Sequence, residues 1–205
     1  GSESESWNMC PKILKNEIIN LKKQNKTPKA IIVVHLYGMP AKIYEIKKIS
    51  KEFNIPIIED AAEALGSSIE KKKCGSFGDI GILSFNGNKI ITTSGGGAII
   101  SNNKRYIDEA KNLSTQARDN FIHYEHSKIG YNYRMSNLLA AVGLGQMKVL
   151  DKRVKSRRKN YRFYKEIFKR FKELNFLDER NQGSRKIYSN RWITTVVIKE
   201  INNIP

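Results

Sequence analysis

The side chain with the clearest chemical potential in this sequence is Lys89, which lies in a short polar turn between two apolar stretches. Residues 80–85 precede the turn, and a second apolar run follows Gly95, Gly96 and Gly97; both runs are typical of strands. Adjacent glycines leave backbone N–H groups unshielded and allow positive φ, which suits close approach to an anion or a bulky ligand. A solvated surface lysine is the alternative interpretation of such a turn.

A second candidate, Asp60, lies about thirty residues upstream at the end of an apolar run. Residues 55–60 are typical of a buried strand that ends in two carboxylates, and the mostly small residues 61–66 follow. Acids at the carboxyl end of a strand lie where open α/β sheets bind ligands. A lysine that forms a Schiff base, with an aspartate for a pyridinium nitrogen, is the pair that pyridoxal phosphate (PLP) requires. The alternative role for Asp60 is that of a strand-end cap.

The elements that must position these side chains form an α/β pattern. Residues 30–36 are almost continuously apolar, which is typical of a parallel strand covered on both faces. Residues 43–53 carry apolar side chains at helical spacing, and the strand ending at Asp60 follows, which predicts a right-handed βαβ unit. Ahead of it, Pro11 opens a further amphipathic helix that ends near residue 25.

Downstream of Lys89 the pattern predicts a helix over residues 104–113 and then a polar, aromatic loop over 114–133. Ser136 is a good N-cap for a long helix that continues into a basic segment. The tail at 192–198 is strand-like. The apolar side chains expected to be buried in the first part of the long helix are Leu138, Leu139, Val142, Met147 and Leu150.

Composition limits the classes of function. With 205 residues the chain can bury one substantial core, and no run of residues is apolar enough to span a membrane. Only two cysteines are present, without metal-ligand spacing, so we predict no metal site and a reducing, cytoplasmic location.

The formal charge of +17 raises the alternative of a nucleic-acid-binding protein, because residues 151–172 carry eleven Lys/Arg and two acids. Against it, Tyr161, Tyr164, Phe168 and Phe171 recur every three to four residues, which more simply predicts a helix that packs one face. Nucleic acid is therefore disfavoured.

Several ordered motifs resemble one family, the PLP-dependent nucleotide-sugar aminotransferases of the DegT/StrS type. The motifs are Glu59-Asp60-Ala61-Ala62-Glu63-Ala64-Leu65-Gly66, Gly75-Ser76-Phe77-Gly78, Ser84-Phe85 with Lys89 and the glycine triplet, Ser114-Thr115-Gln116-Ala117-Arg118 and Gly130-Tyr131-Asn132-Tyr133-Arg134-Met135-Ser136. The resemblance implies the large-domain core of the type I, aspartate aminotransferase-like fold, with a mostly parallel sheet flanked by helices. It is most similar to the enzymes that aminate C4 of a UDP-4-keto-6-deoxy-N-acetylhexosamine in bacillosamine synthesis.

The resemblance assigns roles to five residues. Lys89 would form the Schiff base with PLP and shuttle protons, and Asp60 would accept the pyridine N–H. Glu63 would lie near the PLP O3′, where relatives often carry Gln or His, so that its role departs from the commoner pattern. Ser84 would bind the phosphate, and Asn132 would reach the phosphate from the neighbouring subunit of a dimer. Ordinary hydrogen bonding within a loop is the alternative role for both Ser84 and Asn132. Lysine at position 89 also favours transamination over the family's dehydratases, which carry histidine there.

Substrate contacts are expected from the loop that approaches the sugar or the partner subunit. The residues concerned are Arg118, His123, Tyr124, His126 and Tyr131. Arginine suits a diphosphate, whereas the two histidines are as readily surface residues. The stretch Asn190-Arg191-Trp192 resembles one near the sugar site, although a tryptophan that opens an apolar run more often packs in the core. Glutamate would be the amino donor.

Members of this family are considerably longer than this chain. The resemblance divides the chain into residues 1–135, part of the large PLP-binding domain, and 136–205, a long helix and the start of the small carboxyl-terminal domain. Segments that normally hold the PLP phosphate, stack on its ring and shape the sugar pocket have no counterpart here. We therefore expect weak PLP binding and little turnover, and a non-catalytic fragment that keeps the fold and a dimer surface is the alternative.

Overall fold

The computed structural model describes residues 1–199 of the chain, so the last six residues of the expected second domain lie outside it. Five α-helices are present in this part: α1 (Pro11–Lys23), α2 (Ile43–Phe53), α3 (Lys104–Ser114), α4 (Asn137–Met147) and α5 (Leu150–Ile167). The strands are β1 (Ile31–Val34), β2 (Ile57–Asp60), β3 (Ser68–Ile69), β4 (Lys72–Lys73), β5 (Ile80–Ser84), β6 (Gly97–Ile100), β7 (Leu174–Phe176), β8 (Ile187–Tyr188) and β9 (Val196–Ile198). Within residues 1–199, none of the helices combines the length and the apolar character needed to cross a membrane.

The main sheet has the strand order β1-β2-β5-β6. β1, β2 and β5 run parallel, and β6 returns antiparallel to β5. The register places Val34 opposite Asp60, and Asp60 opposite Ile82. The carboxyl ends of the three parallel strands therefore lie at one edge, and the connection from β5 to β6, which carries Lys89, starts at that edge. The expected α/β class with a mostly parallel sheet is confirmed.

Helices α1 and α2 cover one face of this sheet at β1 and β2. Ile31, Val33 and Ile57 point into the core and pack with residues of α1 and α2, such as Ile18 and Ile46. On the opposite face, Ile32 is 57% exposed and Val34 is 38% exposed. The expectation that β1 is covered on both faces is therefore wrong for the described residues: the strand alternates between a covered and an open face, as its pleat requires.

The long helix expected after Ser136 is two helices. Ser136 does cap α4, since its Oγ accepts the N–H of Leu139 at 3.3 Å. The helix breaks at Val149, where φ is −112° and ψ is 8°. The break lets Leu150 and Val154 of α5 turn toward a cluster with Ile90 and Trp192.

Most of the burial expected in α4 is not observed. Leu138 is 82% exposed, and Val142 and Met147 are exposed as well, whereas Leu139 and Leu150 are half-buried. The helix is apolar on all sides, so the residue pattern could not say which side contacts the protein. Its polar contact is Gln146, which donates to Thr92 O at 2.8 Å.

The basic helix α5 packs through fewer aromatic residues than its spacing predicts. Tyr161 is buried, but Tyr164, Phe168 and Phe171 are exposed. What fixes α5 is mainly polar: Arg158 donates to both carboxylate oxygens of Glu179 and to Ser189 O. The predicted strand over 192–198 is confined to β9, because residues 192 and 193 form a bend and residues 194 and 195 are not in a strand.

Candidate active site

The two carboxylates at the end of β2 point to opposite faces of the sheet. Glu59 is fully buried on the face covered by helices, whereas Asp60 is half-buried on the open face. This separation follows from the two-residue period of a strand. One acid is thus committed to the fold and the next is available to a ligand.

Glu59 holds together four donors around its two oxygens. Oε1 accepts His35 Nε2–H at 2.8 Å and Gly75 N–H at 2.5 Å, and Oε2 accepts the N–H groups of Phe77 and Gly78 at 2.7 and 2.9 Å. Burial alone raises the pKa of a carboxyl, but the hydrogen bonds from His35, Gly78 and Gly75 outweigh it and lower the pKa of Glu59. Glu59 is therefore an ionised anchor for the loop that precedes β5.

Cys74 joins His35 and Glu59 in a buried group whose ligand atoms lie within 4.8 Å of one another. The atom types would suit a metal ion, yet two of the three ligands, Glu59 and His35, are already engaged. Glu59 accepts four hydrogen bonds, and His35 Nδ1 accepts the N–H of Ala41 at 2.9 Å, which fixes the neutral Nε2–H tautomer. We therefore interpret this trio as a structural hydrogen-bond network.

Asp60 and Ser84 share the open face of the sheet. Asp60 lies opposite Ile82, and Ser84 follows Ile82 by two residues, so its side chain points to the same side about 6–7 Å further along β5. Among residues 1–199, Asp60 Oδ1 accepts only the nearby Ala62 N–H at 3.0 Å, and Ser84 Oγ accepts the Asn86 N–H at 3.4 Å. Both side chains therefore keep acceptor capacity directed at this edge.

Lys89 lies beside Glu63, with 3.8 Å between Nζ and Oε1. Only 14% of the Lys89 side chain is exposed, so the lysine is not the solvated surface residue of an ordinary turn. Glu63 is itself held, since Oε2 accepts the N–H of Tyr37 at 2.6 Å. Tyr37 presents that N–H from a left-handed backbone conformation with φ of 54°. The predicted catalytic lysine and the predicted O3′ neighbour are thus brought together.

Trp192 lies against Lys89, a contact that the sequence did not predict, because the apolar residues after this tryptophan favour simple packing. The Nζ of Lys89 lies 4.2 Å from the centroid of the Trp192 ring, within cation–π range. Residues 89 and 192 are far apart in sequence, so only the folded chain shows this contact. The resemblance of residues 190–192 to a stretch near the sugar site was the one available signal.

The backbone conformation requires glycine at two of the three positions in the triplet. A Cβ on Gly97 would lie 2.4 Å from Leu83 O, and Gly96 has φ of +88°. At Gly95 nothing lies within 4 Å of a built Cβ. Gly97 therefore allows β6 to approach β5, and Gly95 is the member of the triplet with open space around it.

The loop over 114–133 contacts mainly itself. The guanidinium of Arg118 lies 3.9 Å from the Tyr124 ring centroid, His123 Nε2 lies 3.0 Å from Glu125 Oε2, and His126 Nδ1 lies 2.9 Å from Gln116 O. Two further predicted residues lie where this segment folds back: Tyr131 stacks on Tyr133, and Asn132 bridges to Thr115. No described hydrogen bond, ion pair or ring contact joins these residues to Lys89, so their substrate and phosphate roles stay predictions.

The chain matches the DegT/DnrJ/EryC1/StrS aminotransferase family over residues 1–203, and it belongs to that family. The predicted family is thereby confirmed, and with it the expectation that the cofactor of the family is PLP. The fold agrees: the structure of PseC from Helicobacter pylori, an aminotransferase of pseudoaminic acid biosynthesis, superposes with a TM-score of 0.85 at 25% identity. That comparison covers 98% of this chain and 52% of PseC.

Individual relatives carry related names. EpsN of Bacillus subtilis (strain 168), provisionally named a PLP-dependent aminotransferase, is 46% identical over 197 residues, 96% of this chain and 50% of EpsN. A GDP-perosamine synthase of Escherichia coli O157:H7 is 36% identical over 97% of this chain and 51% of its own length. A UDP-4-amino-4,6-dideoxy-N-acetyl-beta-L-altrosamine transaminase of Campylobacter jejuni is 37% identical over 78% and 43%. The chain spans about half the length of the curated relatives that it matches.

Proposed function

We propose that this chain carries the catalytic lysine of a PLP-dependent aminotransferase that moves an amino group from glutamate to C4 of a UDP-4-keto-6-deoxy-N-acetylhexosamine, as in bacillosamine synthesis. The observation that carries the proposal is the position of Lys89. Its shielded amine lies beside Glu63, in the turn that leaves the sheet edge at which Asp60 ends β2.

The donor set fits PLP. A pyridinium N–H needs an acceptor, and Asp60 has carboxylate lone pairs left after its hydrogen bond to Ala62 N–H. A phosphate needs donors, which the hydroxyl of Ser84 and the open backbone around Gly95 supply. A carbonyl carbon needs an amine, which is Lys89. These requirements match the residues in type and in their common edge of the sheet.

When bound, PLP would accept the amino group from the donor and act as the electron sink for the carbon that loses a proton. Lys89 would supply the amine that bonds the cofactor and would carry a proton at Nζ when released from it. Asp60 would keep the ring nitrogen protonated through a charge-assisted hydrogen bond. Glu63 would orient Lys89 and accept a hydrogen bond at the position predicted to lie near the ring hydroxyl.

The sugar nucleotide is the finer part of the proposal. Relatives of similar identity are named for GDP-linked and for UDP-linked sugars, and the motifs of this chain favour the UDP-linked class. Arg118 is the expected ligand of the diphosphate, with His123, Tyr124, His126 and Tyr131 on the same loop. A cytoplasmic location, where nucleotide sugars are made, remains a prediction from the cysteine content.

We further propose that α4 joins a second copy of this chain. An all-apolar helix is normally buried, yet the apolar side chains of Leu138, Val142 and Leu144 are exposed. Large exposed apolar side chains of this kind are typical of an interaction site, and a dimer would also bring Asn132 to the partner's phosphate site as predicted. Leu138→Asp should abolish the dimer in light scattering; an unchanged dimer mass would remove α4 from the interface.

Nucleic acid is not proposed as the partner of the basic segment. Arg158 is committed to Glu179, and Lys165 bonds both oxygens of Asp178 at 2.7 and 2.6 Å. These pairs orient the helix within the protein and reduce the charge that it presents. Binding of duplex or single-stranded DNA at low salt would contradict this interpretation.

The proposal is tested by titrating the chain with PLP and following its visible absorbance. We expect a yellow, borohydride-reducible adduct that is absent in Lys89→Ala and weaker in Asp60→Asn, because the aspartate acts on the ring nitrogen. Addition of a UDP-4-amino-4,6-dideoxy sugar should bleach the adduct slowly in this half-length chain, and the GDP-linked analogue should act more weakly still. An adduct that persists in Lys89→Ala would contradict the catalytic assignment, and a faster response to the GDP sugar would contradict the substrate.

A further inference from the structure

The amine of Lys89 is bracketed by two groups of different chemistry. On one side lies the Glu63 carboxylate, 3.8 Å from Nζ, and on the other the face of the Trp192 ring, 4.2 Å from Nζ to the centroid. Both an anion and the negative face of an indole attract a protonated amine. The bracket therefore suits the lysine when its nitrogen carries a positive charge and no covalent partner.

The indole is fixed by contacts on two sides. Its Nε1–H donates to Asn88 O at 2.7 Å, the carbonyl of the residue that immediately precedes Lys89. The backbone N–H of Trp192 donates to Asn190 Oδ1 at 2.9 Å, and the side-chain amide of Asn190 in turn donates to Glu63 O at 2.8 Å. One asparagine thus ties the two halves of the bracket to each other.

The asparagine is itself closely fitted. Its amide also donates to Leu65 O at 2.9 Å, and its backbone N–H donates to Ser67 Oγ at 2.8 Å. Ser67 in turn donates to Gly38 O at 2.7 Å. Because every group in this chain of contacts is satisfied, the bracket is pre-organised rather than assembled when a ligand arrives.

We infer that Trp192 is a positioning residue for Lys89: its ring holds the free amine against Glu63 whenever the lysine is not bonded to the cofactor. The inference rests on the proposed function, because transamination leaves the lysine free while the cofactor carries the amino group. A free lysine side chain has many rotamers, and holding its nitrogen in place keeps the proton that it carries near the reacting carbon.

A packing role alone makes a different prediction. Trp192 also contacts Ile90 and Val154 in a small core cluster, so its removal must cost stability whatever it does for Lys89. Stability therefore does not discriminate between the two roles. The magnetic environment of the Lys89 nitrogen does, because an amine above an indole ring experiences the ring current and an amine in solvent does not.

The experiment is reductive ¹³C-methylation of the lysines in the cofactor-free chain, followed by ¹H–¹³C correlation NMR. We expect one methylamine resonance upfield of the others, assigned to Lys89 by its loss in Lys89→Arg. It should move to the main group in Trp192→Leu and keep part of its displacement in Trp192→Phe, which preserves a ring but not the N–H to Asn88. Trp7→Leu, the same change at the other tryptophan, should leave it in place.

Labelling kinetics give a second readout on the same samples. The Glu63 carboxylate and the Trp192 ring hold the Lys89 amine and slow its reaction. Lys89 should therefore be methylated roughly tenfold faster in Trp192→Leu than in the wild-type chain, which is the rate ratio expected for the loss of a partly desolvated cation–π contact. Circular dichroism identifies any variant that fails to fold, and Trp192→Phe then carries the test. A Lys89 resonance within the main group in the wild-type chain would overturn the inference. Since no PLP is present, that result would leave the proposed function untouched.

Discussion

Replacing Glu59 by glutamine tests the claim that the acid next to Asp60 serves the fold. The two carboxylate oxygens accept four N–H groups, from His35, Gly75, Phe77 and Gly78. A glutamine keeps one oxygen and turns an NH₂ group toward two of these donors. The His35 ring cannot change tautomer to compensate, because Ala41 already donates to its other nitrogen.

The expected magnitude follows from the groups left without a partner. Two buried donors facing another donor cost about 1–3 kcal/mol each, so Glu59→Gln should lower the free energy of unfolding by about 2–6 kcal/mol. That is a large share of the roughly 5–15 kcal/mol that stabilises an ordinary domain. Urea unfolding followed by circular dichroism measures the loss directly.

The pH dependence of the unfolding free energy provides a second test of the role of Glu59. The pKa of Glu59 is lower in the folded chain than in the unfolded one, so its contribution to stability is fully present above the unfolded pKa of about 4.3 and is lost as the pH falls through the folded value. The difference in unfolding free energy between the wild-type chain and Glu59→Gln should therefore narrow below about pH 4. The matched control is Glu52→Gln, which removes an exposed ion pair with Lys15 and should cost less than about 1 kcal/mol. A loss in Glu59→Gln no larger than in the control, or a difference that does not change with pH, would refute the reasoning.

Two further changes test how the site is supported. Arg158→Ala removes the bidentate contact to Glu179 and the hydrogen bond to Ser189 O, and should lower the free energy of unfolding by about 1–3 kcal/mol, because Glu179 keeps the Ser189 N–H and a longer contact to Arg191. Gly38→Ala forces a left-handed residue to carry a Cβ that would lie 1.9 Å from Asn190 Oδ1, so it should destabilise the chain by more than about 1 kcal/mol and displace the Lys89 resonance.

Each of these two variants has a matched control. Arg157→Ala, at an exposed position one residue before Arg158, should change stability by no more than about 0.5 kcal/mol. Gly145→Ala places a methyl group where nothing lies within 4 Å and should be neutral or stabilising in a helix. Equal effects of Arg158→Ala and its control, or an unshifted Lys89 resonance in Gly38→Ala, would contradict the assigned supports.

The sequence predicted the parts of the site that local pattern determines. The apolar runs before Asp60 and Lys89 fixed two parallel strands, and the crossover helix followed from its periodicity. The separation of Glu59 from Asp60 is contained in the same pattern, since neighbouring residues of a strand face opposite ways. Local periodicity, however, reports that a face is apolar and not what covers it, which is why β1 and α4 are more exposed than predicted.

The rest of the site depends on contacts between distant parts of the chain. Trp192 meets Lys89 across about half of the sequence, and Asn190 bonds the backbone of Glu63 over a similar span. The positions of Trp192 and Asn190 in the sequence follow no spacing that indicates a role. The break between α4 and α5 also depends on contacts between distant parts of the chain. Leu150 and Val154 of α5 pack in the cluster around Trp192, so α5 does not continue in the direction of α4.

The most direct test of the account is to locate the lysine that bonds PLP. The chain is incubated with PLP, reduced with borohydride and digested, and the pyridoxyl group is assigned by mass spectrometry. We predict that Lys89 carries most of the label although its side chain is only 14% exposed, while Lys104, at 85% exposed, carries little. Labels distributed in proportion to exposure, with Lys89 among the least modified, would contradict the claim that this turn is the cofactor site.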